Sequence, residues 1–294
     1  MSGALERVMV CSPRTAGWNQ PERAARWQEL GFQHAPDFAR AQSQHEALCR
    51  ELETAGAEVV EMPPTPDLSL DAVYAHDASL PTDYGLVVMR PGKPNRVAEG
   101  QHHSAFCLRL IIPMLAKIVA PGTTEAGDII GLDPKTLLIG HGYRTNAEGI
   151  RQMWDLLAPK GIEVLSAPLP YGPGPSACLH LMSLISLLDE HTALVDLPWI
   201  AVETVELLRS RGGGSRRIRC VCRCHDDAGL RRYSISSVSD LGQSPAPQPP
   251  VFSRRCGTRL VFGRRFNILQ FLHPMQEHVG GEQTKHQQRK NHDE

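Results

Sequence analysis

Short apolar runs and longer amphipathic stretches alternate through residues 1–211 of the chain. The apolar run at 7–11 predicts a first strand. After Asp37, a residue type that often caps helices, apolar positions recur at helical spacing and predict a helix that ends at Gly56. The run at 57–62, closed by two prolines, predicts a second strand.

The same kinds of element then recur in a fixed order. Predicted strand pairs lie at 72–75 and 84–89, at 129–132 and 136–139, and at 179–188 and 193–195; helices are predicted at 104–115, 146–157 and 199–211, and further strands at 117–120 and 163–165. The cycle of strand, strand, helix and strand takes about 45 to 55 residues, although the residues themselves do not repeat. This order predicts a radial α/β assembly with its site on the axis.

The composition changes abruptly at Gly212. Residues 212–294 hold 14 Lys and Arg against 7 Asp and Glu, a net charge of +7, whereas residues 1–211 carry a net charge of −8. The apolar stretches at 260–262 and 266–272 are too short to bury a core for a segment of this length. We therefore predict a folded domain at 1–211 and a basic, largely disordered tail at 212–294 that contains much Pro, Gly and Gln.

Charge and apolar content restrict the partners of the protein. A formal net charge of −1 argues against a nucleic-acid binder that works through bulk electrostatics. No apolar run reaches the roughly 18 residues needed to span a bilayer, and the start of the chain does not have the pattern of a signal peptide. The eight cysteines lack the dense spacing of a secreted disulfide scaffold. We expect a cytoplasmic protein with a small-molecule substrate and neither a membrane nor a nucleic-acid partner; a homodimer is left open.

Acidic residues in two separate segments are candidates for binding a cation. Asp71 and Asp77 alternate onto one face of the strand predicted around 72–75, with no basic residue between them on that face. Glu125 lies in a Gly-containing turn just before the apolar run at 129–132. The alternative for Asp77 is that it only opens the loop after the strand.

Two arginines are candidates for binding an anion. Arg96 ends a loop with three cations, and an arginine fork can hold a carboxylate through two parallel hydrogen bonds. Arg144 directly precedes Thr145 and Asn146, one of which is predicted to be an N-cap. The alternatives are a solvated turn for Arg96 and a surface arginine beside a capping turn for Arg144. Acids and bases in one site would suit a ligand with both charges, such as arginine and its derivatives.

His180 lies in an apolar segment that is predicted to be a strand. If it faces the same cavity as Glu125 and Asp77, it suits proton transfer, because histidine titrates near neutral pH. The alternative is a core histidine with its ring hydrogen-bonded. The cysteines at 220, 222 and 224 alternate in an Arg-rich segment and lack the separated pairs of a structural zinc site, so we expect no metal.

Five motifs together resemble those of the dimethylarginine dimethylaminohydrolases. They are Asp71-Ala-Val-Tyr-Ala-His-Asp77, Arg90-Pro-Gly-Lys-Pro-Asn-Arg96, Thr124-Glu-Ala-Gly-Asp-Ile-Ile130, Arg144-Thr-Asn-Ala-Glu-Gly149 and Leu179-His-Leu181. They occur in the order and spacing of that family, which belongs to the guanidine-modifying superfamily with arginine deiminases and amidinotransferases. The resemblance implies the pentein fold, a pseudo-fivefold α/β propeller, and hydrolysis of N-methylated arginine to citrulline and a methylamine without a metal or organic cofactor.

The resemblance also implies roles for individual residues. Asp77 and Glu125 resemble the two carboxylates that hold the substrate guanidinium, and Asp71 resembles an acid beside them. His180 resembles the general acid and base, which protonates the departing amine and then activates water. With Glu125, it forms the catalytic pair that the resemblance implies.

Arg96 and Arg144 resemble the pair that binds the α-carboxylate of the substrate. His76 stands where many relatives carry Glu, which predicts a change at the entrance or in the tolerance for N-methyl groups. The nucleophile of the family is a Cys in a Gly-rich segment near the C-terminus, and no such segment follows Arg211. The nucleophile is therefore unassigned, and we expect the propeller to lack its regular last repeat.

Two cysteines are the nearest substitutes for the nucleophile: Cys178 lies two residues from His180, and Cys256 follows two arginines, whose charges depress a thiol pKa. Neither stands in the pattern of the family. The alternatives to a hydrolase are a non-catalytic binder of arginine derivatives, a truncated product, or a relative of the arginine deiminases or amidinotransferases.

Overall fold

A computed structural model describes residues 5–32, 34–172, 174–175, 179–187 and 192–211, together with strand segments at 219–225, 231–235 and 267–268. The described residues form an α/β fold of several small sheets, as predicted. The strands are β1 (Arg7–Val10), β2 (Glu58–Glu61), β3 (Ser79–Thr82), β4 (Gly85–Val88), β5 (Met114–Lys117), β6 (Ile129–Asp133), β7 (Thr136–His141), β8 (Glu163–Pro168), β9 (Ile185–Leu187), β10 (Thr192–Val195), β11 (Arg219–His225), β12 (Arg231–Ile235) and β13 (Asn267–Ile268).

Helices and short 3-10 helices connect many of these strands. The α-helices are α1 (Pro21–Ala24), α2 (Phe38–Thr54), α3 (Glu99–Arg109), α4 (Ala147–Leu157), α5 (Leu181–Leu184) and α6 (Val202–Arg211). Short 3-10 helices lie at Leu70–Val73, Ala75–Ala78, Pro94–Arg96, Ala126–Asp128, Ala158–Lys160 and Leu197–Trp199. As predicted, Asp37 caps α2, with its side chain accepting from the backbone N–H of Arg40 at 3.0 Å.

Three sheets repeat one arrangement. A hairpin is followed by a helix and by a strand parallel to the second hairpin strand: β3, β4, α3 and β5; then β6, β7, α4 and β8; then β9, β10, α6 and β11. This confirms the predicted order of strand, strand, helix and strand. Such a unit suits these sequences because a helix of this length supplies the crossover that a parallel pair needs.

The first sheet differs, because β1 and β2 pair in parallel across α2 and β13 pairs in parallel with β1. In the last sheet, β12 pairs antiparallel with β11. Strands β11, β12 and β13 all belong to the predicted tail. The other residues of 212–294 lie outside the described residues, so the predicted disorder there stays a prediction.

Alternate residues of one strand belong to different hydrophobic clusters. Ile129 of β6 packs with Leu80 and Val87 of the preceding sheet, whereas Ile130 packs with Ile185 of the following sheet. Successive side chains of a strand point to opposite faces, so β6 contributes to the core shared with the preceding sheet on one face and to the core shared with the following sheet on the other. This packing places the ends of successive hairpins close together, where the polar turns meet.

The strand predicted at 72–75 is wrong. The chain instead forms the 3-10 helices Leu70–Val73 and Ala75–Ala78. The side chain of Ser69 accepts from the backbone N–H of Asp71, and Asp71 O accepts from Tyr74 N at 2.9 Å. These local bonds satisfy the backbone within the segment and replace the pairing that a strand would need.

Other boundaries also differ from the prediction. Helix α3 covers Glu99–Arg109 rather than 104–115, because buried Glu99 is paired with Arg96 at the start of the helix, and β5 shifts with it to Met114–Lys117. The strand predicted at 179–188 begins only at Ile185, after the short helix α5. Within the described ranges, no helix combines the length and apolar character needed to cross a bilayer.

Candidate active site

Three turns from consecutive sheets bring two carboxylates and an imidazole together. Asp77 lies in the 3-10 helix before β3, Glu125 lies in the turn before β6, and His180 is the N-cap residue of α5 before β9. Each residue therefore precedes the hairpin of its own sheet. Because the hairpins stack side by side, residues distant in sequence become neighbours.

The imidazole of His180 lies between the two carboxylates. His180 Nε2 is 2.8 Å from Glu125 Oε2, and His180 Nδ1 is 3.9 Å from Asp77 Oδ1. At most 1% of the surface of these three residues is exposed. A buried imidazole with an acid beside each ring nitrogen is arranged to hold or transfer a proton.

Two glycines permit this close approach. A Cβ atom on Gly127 would lie 2.6 Å from both Asp77 Oδ1 and His180 Nδ1, which is closer than real contacts allow. Gly92 donates its backbone N–H to Glu125 Oε1 at 2.9 Å, and a Cβ there would lie 3.0 Å from the backbone of Arg144. A side chain at Gly127 would push Asp77 and His180 apart, and one at Gly92 would push the loop that donates to Glu125 away from Arg144.

Asp128 and Thr145 brace the site from behind. The Thr145 hydroxyl donates to Asp128 Oδ2 at 2.6 Å and accepts from the backbone N–H of Glu125 at 3.1 Å. Asp128 Oδ1 accepts from the backbone N–H of Leu181 at 3.1 Å. Asp128 therefore connects the turn that contains Glu125 to Leu181, the residue after His180. Its bond to the Leu181 N–H lies at the first residue of α5, where a strand had been predicted.

Arg96 is buried and is held by acceptors of the protein itself. It donates from Nη1 to Asp77 Oδ2 at 2.6 Å, from Nε and Nη2 to the two carboxylate oxygens of Glu99 at 2.9 and 2.7 Å, and from Nη2 to Tyr74 O at 3.0 Å. The expectation that Arg96 binds a substrate carboxylate stays a prediction. The contacts of Arg96 connect it to the acid at the centre of the site.

Arg144 and Asp71 lie at the edges of the cluster. Arg144 Nη1 is 3.8 Å from Glu125 Oε1. Asp71 Oδ2 accepts from Lys93 Nζ at 2.8 Å and from Asn95 Nδ2 at 3.2 Å. Asp71 thus anchors the loop between Arg90 and Arg96, a contact that the alternating pattern did not indicate.

His76 joins two of the turns. Its Nε2 atom lies 3.1 Å from the backbone oxygen of Ala126, and only 2% of its surface is exposed. The residue therefore links the segment that bears Asp77 to the segment that bears Glu125. A glutamate in the same orientation would place a carboxylate against this carbonyl oxygen.

The electrostatics of the cluster follow from burial and pairing. Burial acts to raise the pKa of Glu125, but the hydrogen bond and charge of His180, with help from Arg96 and Arg144, lower it overall. Burial raises the pKa of Asp128 to about 6 against the opposing effects of His180 and Thr145. Glu125 therefore stays ionised to lower pH than Asp128 does.

Asp77, Glu125 and His180 each offer a ligand atom, and these atoms lie within 4.8 Å of one another. Among the residues that the structure describes, they are the group whose donor set a metal ion would fit. The same geometry fits an organic cation that carries several N–H donors.

The described thiols are not activated. Burial raises the pKa of Cys11, that of Cys49 to about 11 and that of Cys107 to about 12. The two cysteines suggested as nucleophiles, Cys178 and Cys256, lie outside the described residues.

The structure thus brings Asp77, Glu125 and His180 into one cluster, with Arg96 and Arg144 against its acids. Sequence reasoning assigned no role to the supporting residues Glu99 and Asp128, and it considered Thr145 only as an alternative N-cap to Asn146, which is the residue that caps α4. Signals for them existed, since Asp128 and Thr145 lie in the same two motifs as Glu125 and Arg144, and Glu99 lies one helical turn after Arg96.

The fold and this cluster define a class of α/β proteins in which acids and an imidazole meet at the ends of repeated small sheets. No family model matches the chain. It is 36% identical over 159 residues to the N(G),N(G)-dimethylarginine dimethylaminohydrolase of Pseudomonas aeruginosa, covering 54% of this chain and 59% of that protein. It is 30% identical over 220 residues to the enzyme of the same name in Streptomyces coelicolor, covering 71% of this chain and 79% of the relative.

A solved structure agrees with these alignments. The chain has a TM-score of 0.53 to a Cys-to-Ser mutant of the Pseudomonas aeruginosa enzyme complexed with citrulline, with 27% identity over 65% of this chain and 69% of that one. The chain belongs to the dimethylarginine dimethylaminohydrolase family. The first alignment spans less than two thirds of its relative.

Proposed function

We propose that this protein hydrolyses N-methylated arginine to citrulline and a methylamine. The observation that carries the proposal is the buried array in which His180 lies 2.8 Å from Glu125 and 3.9 Å from Asp77. Two relatives bear the name of this activity, and the solved relative holds citrulline.

The carboxylates supply what a guanidinium needs. This cation is planar and carries N–H donors around its edge, so carboxylate oxygens that are held in the same plane can accept from it. Asp77 Oδ1 accepts no hydrogen bond from any residue within the described ranges, although it is buried. In our proposal, Asp77 Oδ1 and the carboxylate of Glu125 hold the guanidinium and orient its central carbon for attack.

His180 then moves the proton. In the first step a thiolate adds to the central carbon to give a tetrahedral adduct, and the methylamine departs with a proton from the imidazolium. In the second step the neutral imidazole takes a proton from water, which attacks the same carbon. The thiolate leaves, citrulline forms and the imidazole is protonated again. The pairing with Glu125 stabilises the imidazolium in both steps.

The proposal requires a thiolate from outside the described side chains. Cys11, Cys49 and Cys107 have raised thiol pKa values and are poor nucleophiles at neutral pH. The remaining cysteines of the chain are Cys178, Cys220, Cys222, Cys224 and Cys256. One of these is the nucleophile if the chain turns over.

We propose different roles for the other charged residues of the site. Arg144 lies beside Glu125 and is the candidate for the α-carboxylate of the substrate, while Asp71 acts through the loop that it holds. We propose further that the repeated sheets belong to a pseudo-fivefold ring without a regular last repeat. The recurring hairpin, helix and parallel strand support this arrangement.

The decisive experiment incubates the purified full chain with asymmetric dimethylarginine and measures citrulline. Product that is lost in His180→Ala supports the hydrolase. Calorimetric binding without product supports a non-catalytic binder, a reading that the raised pKa values of the described thiols favour. Product from unmethylated arginine alone would assign the chain to the deiminase type of reaction.

A further inference from the structure

Asp77 uses its two carboxylate oxygens differently. Oδ2 accepts from Arg96 Nη1 at 2.6 Å, whereas Oδ1 points to the imidazole side, 3.9 Å from His180 Nδ1, and has no hydrogen-bond partner among the described residues. A carboxylate that is free to rotate would exchange these oxygens. The contact with Arg96 prevents this exchange.

Arg96 is in turn fixed by Glu99. The two residues share a bidentate pair, with Nε and Nη2 of Arg96 donating to Oε1 and Oε2 of Glu99, and a further bond from Nη2 to Tyr74 O sets the plane of the guanidinium. At most 3% of the surface of either residue is exposed. Two parallel bonds leave the guanidinium one orientation, so Nη1 is aimed at Asp77.

The charges of these residues are also coupled. Burial acts to lower the pKa of Arg96, but Glu99 and Asp77 outweigh it and hold that pKa well above its usual value. Burial raises the pKa of Glu99 to about 7, although Arg96 acts in the opposite direction. When Glu99 is ionised, it compensates Arg96 and leaves the negative charge of Asp77 available to a cation. When Glu99 is neutral, Arg96 compensates Asp77 instead.

We propose that Arg96 and Glu99 are a buried positioning pair for Asp77, which fixes its Oδ2 and leaves its Oδ1 to accept from the guanidinium of the substrate. The inference rests on the proposed function, and it gives Arg96 a role that acts through Asp77. It also makes Glu99 a determinant of the preference for a cationic ligand over a neutral one of similar shape.

Glu99→Gln tests this proposal. The glutamine has one oxygen that can accept from Arg96, and its amide N–H group opposes the other donor, so the charge of Arg96 is no longer compensated by residue 99 and acts on Asp77 alone. Affinity for asymmetric dimethylarginine, measured by calorimetry at pH 8, is expected to fall about tenfold or more. Affinity for citrulline, whose ureido group is neutral, is expected to change less than about threefold, because the charge effect does not act on it.

The chain supplies a matched control. Glu148 forms the same bidentate pair with Arg151 three residues later, at 2.8 and 2.7 Å, on the exposed surface of α4. Glu148→Gln is expected to leave both affinities unchanged. Equal weakening of both ligands by Glu99→Gln, or no weakening, overturns the proposal.

The pH dependence of dimethylarginine affinity is a second test. It would not differ between wild type and Glu99→Gln if Glu99 had only a structural role. Glu99 is faced by Arg96, by Asp71 and Asp77 from the two preceding turns, and by the Cys11 thiol after β1. Below about pH 6 Glu99 is protonated in the wild type, so the affinities of wild type and Glu99→Gln for dimethylarginine are expected to converge. A constant ratio between pH 5.5 and 8 overturns the coupling.

A crystal structure of Glu99→Gln separates this inference from the proposed function. We expect the Asp77 carboxylate to rotate so that Oδ1 as well as Oδ2 faces Arg96, and an unchanged carboxylate overturns the proposal. If the wild type binds neither ligand, the proposed function fails, while the crystal structure still decides whether Glu99 positions Asp77.

Discussion

His180 Nε2 lies 2.8 Å from Glu125 Oε2, although 55 residues separate them in the chain. The pair is buried, and the loops that carry it are joined by Asp128, which accepts from both Thr145 and the backbone of Leu181. The contact is therefore held by the framework as well as by the attraction between the two groups. A pair held in this way is pre-organised before any ligand enters.

We expect Glu125→Gln to lower the rate of citrulline formation by a factor of about 100 or more. The amide cannot stabilise an imidazolium on His180, and it removes one of the charges that hold the substrate cation. Steady-state assays with dimethylarginine check this prediction. A variant with more than half of the wild-type rate would contradict the assigned pairing.

Gly127→Ala is expected to impair the site through its methyl group. The added carbon would lie 2.6 Å from both Asp77 Oδ1 and His180 Nδ1, so one of them must move, and we expect affinity for dimethylarginine to fall about tenfold. Gly56→Ala is the control, because Gly56 has a φ of +91° and open space around it. That variant should lower the melting temperature through backbone strain and leave binding intact.

Thr145→Val is expected to destabilise the protein by about 1 to 3 kcal/mol. It leaves Asp128 Oδ2 without its 2.6 Å donor and the backbone N–H of Glu125 without its acceptor, and both are buried. Urea unfolding measures the loss. Asp37→Ala removes only the cap of α2, a change worth roughly 1 kcal/mol, and should not alter ligand affinity. Similar effects of both variants on affinity would refute the bracing role.

The raised pKa of Asp128 predicts how its contribution to stability varies with pH. Burial raises this pKa from 3.8 to about 6, so the folded protein holds the proton more tightly than the unfolded chain. The carboxyl group therefore contributes least to stability above pH 6, and its contribution falls by about 3 kcal/mol as pH rises from below 4 to above 6. Urea unfolding of wild type and Asp128→Asn at pH 4.5 and 7.5 should show the wild type losing stability relative to the variant; a constant difference would contradict the assignment.

A thiol-reactive arginine mimic is expected to label a cysteine outside the described side chains. The thiols of Cys11, Cys49 and Cys107 have raised pKa values and should stay unmodified at pH 7. Peptide mass mapping identifies the labelled residue. Labelling that is confined to Cys11 or Cys107, or that persists unchanged when excess citrulline is present, would argue against a nucleophile beside the guanidinium site.

The sequence alone determined the α/β class, the order of strand, strand, helix and strand, and the residue types of the site. The period of the apolar positions is a local property, and it correctly predicted α2 and the pair β6 and β7. The same reasoning failed at 72–75, because the backbone N–H of Asp71 donates to the Ser69 side chain and starts a 3-10 helix there, which the local pattern does not reveal.

Only the tertiary structure decided how the acids are used. The loop that contains Arg96 suggested an anion site, and only packing shows that this residue lies buried between Asp77 and Glu99, where the acids beside it balance its charge. Likewise, spacing along the chain could not show that His180 meets Glu125, since that contact depends on the stacking of separate sheets. Local periodicity specifies the elements, and the side-chain contacts between them specify the site.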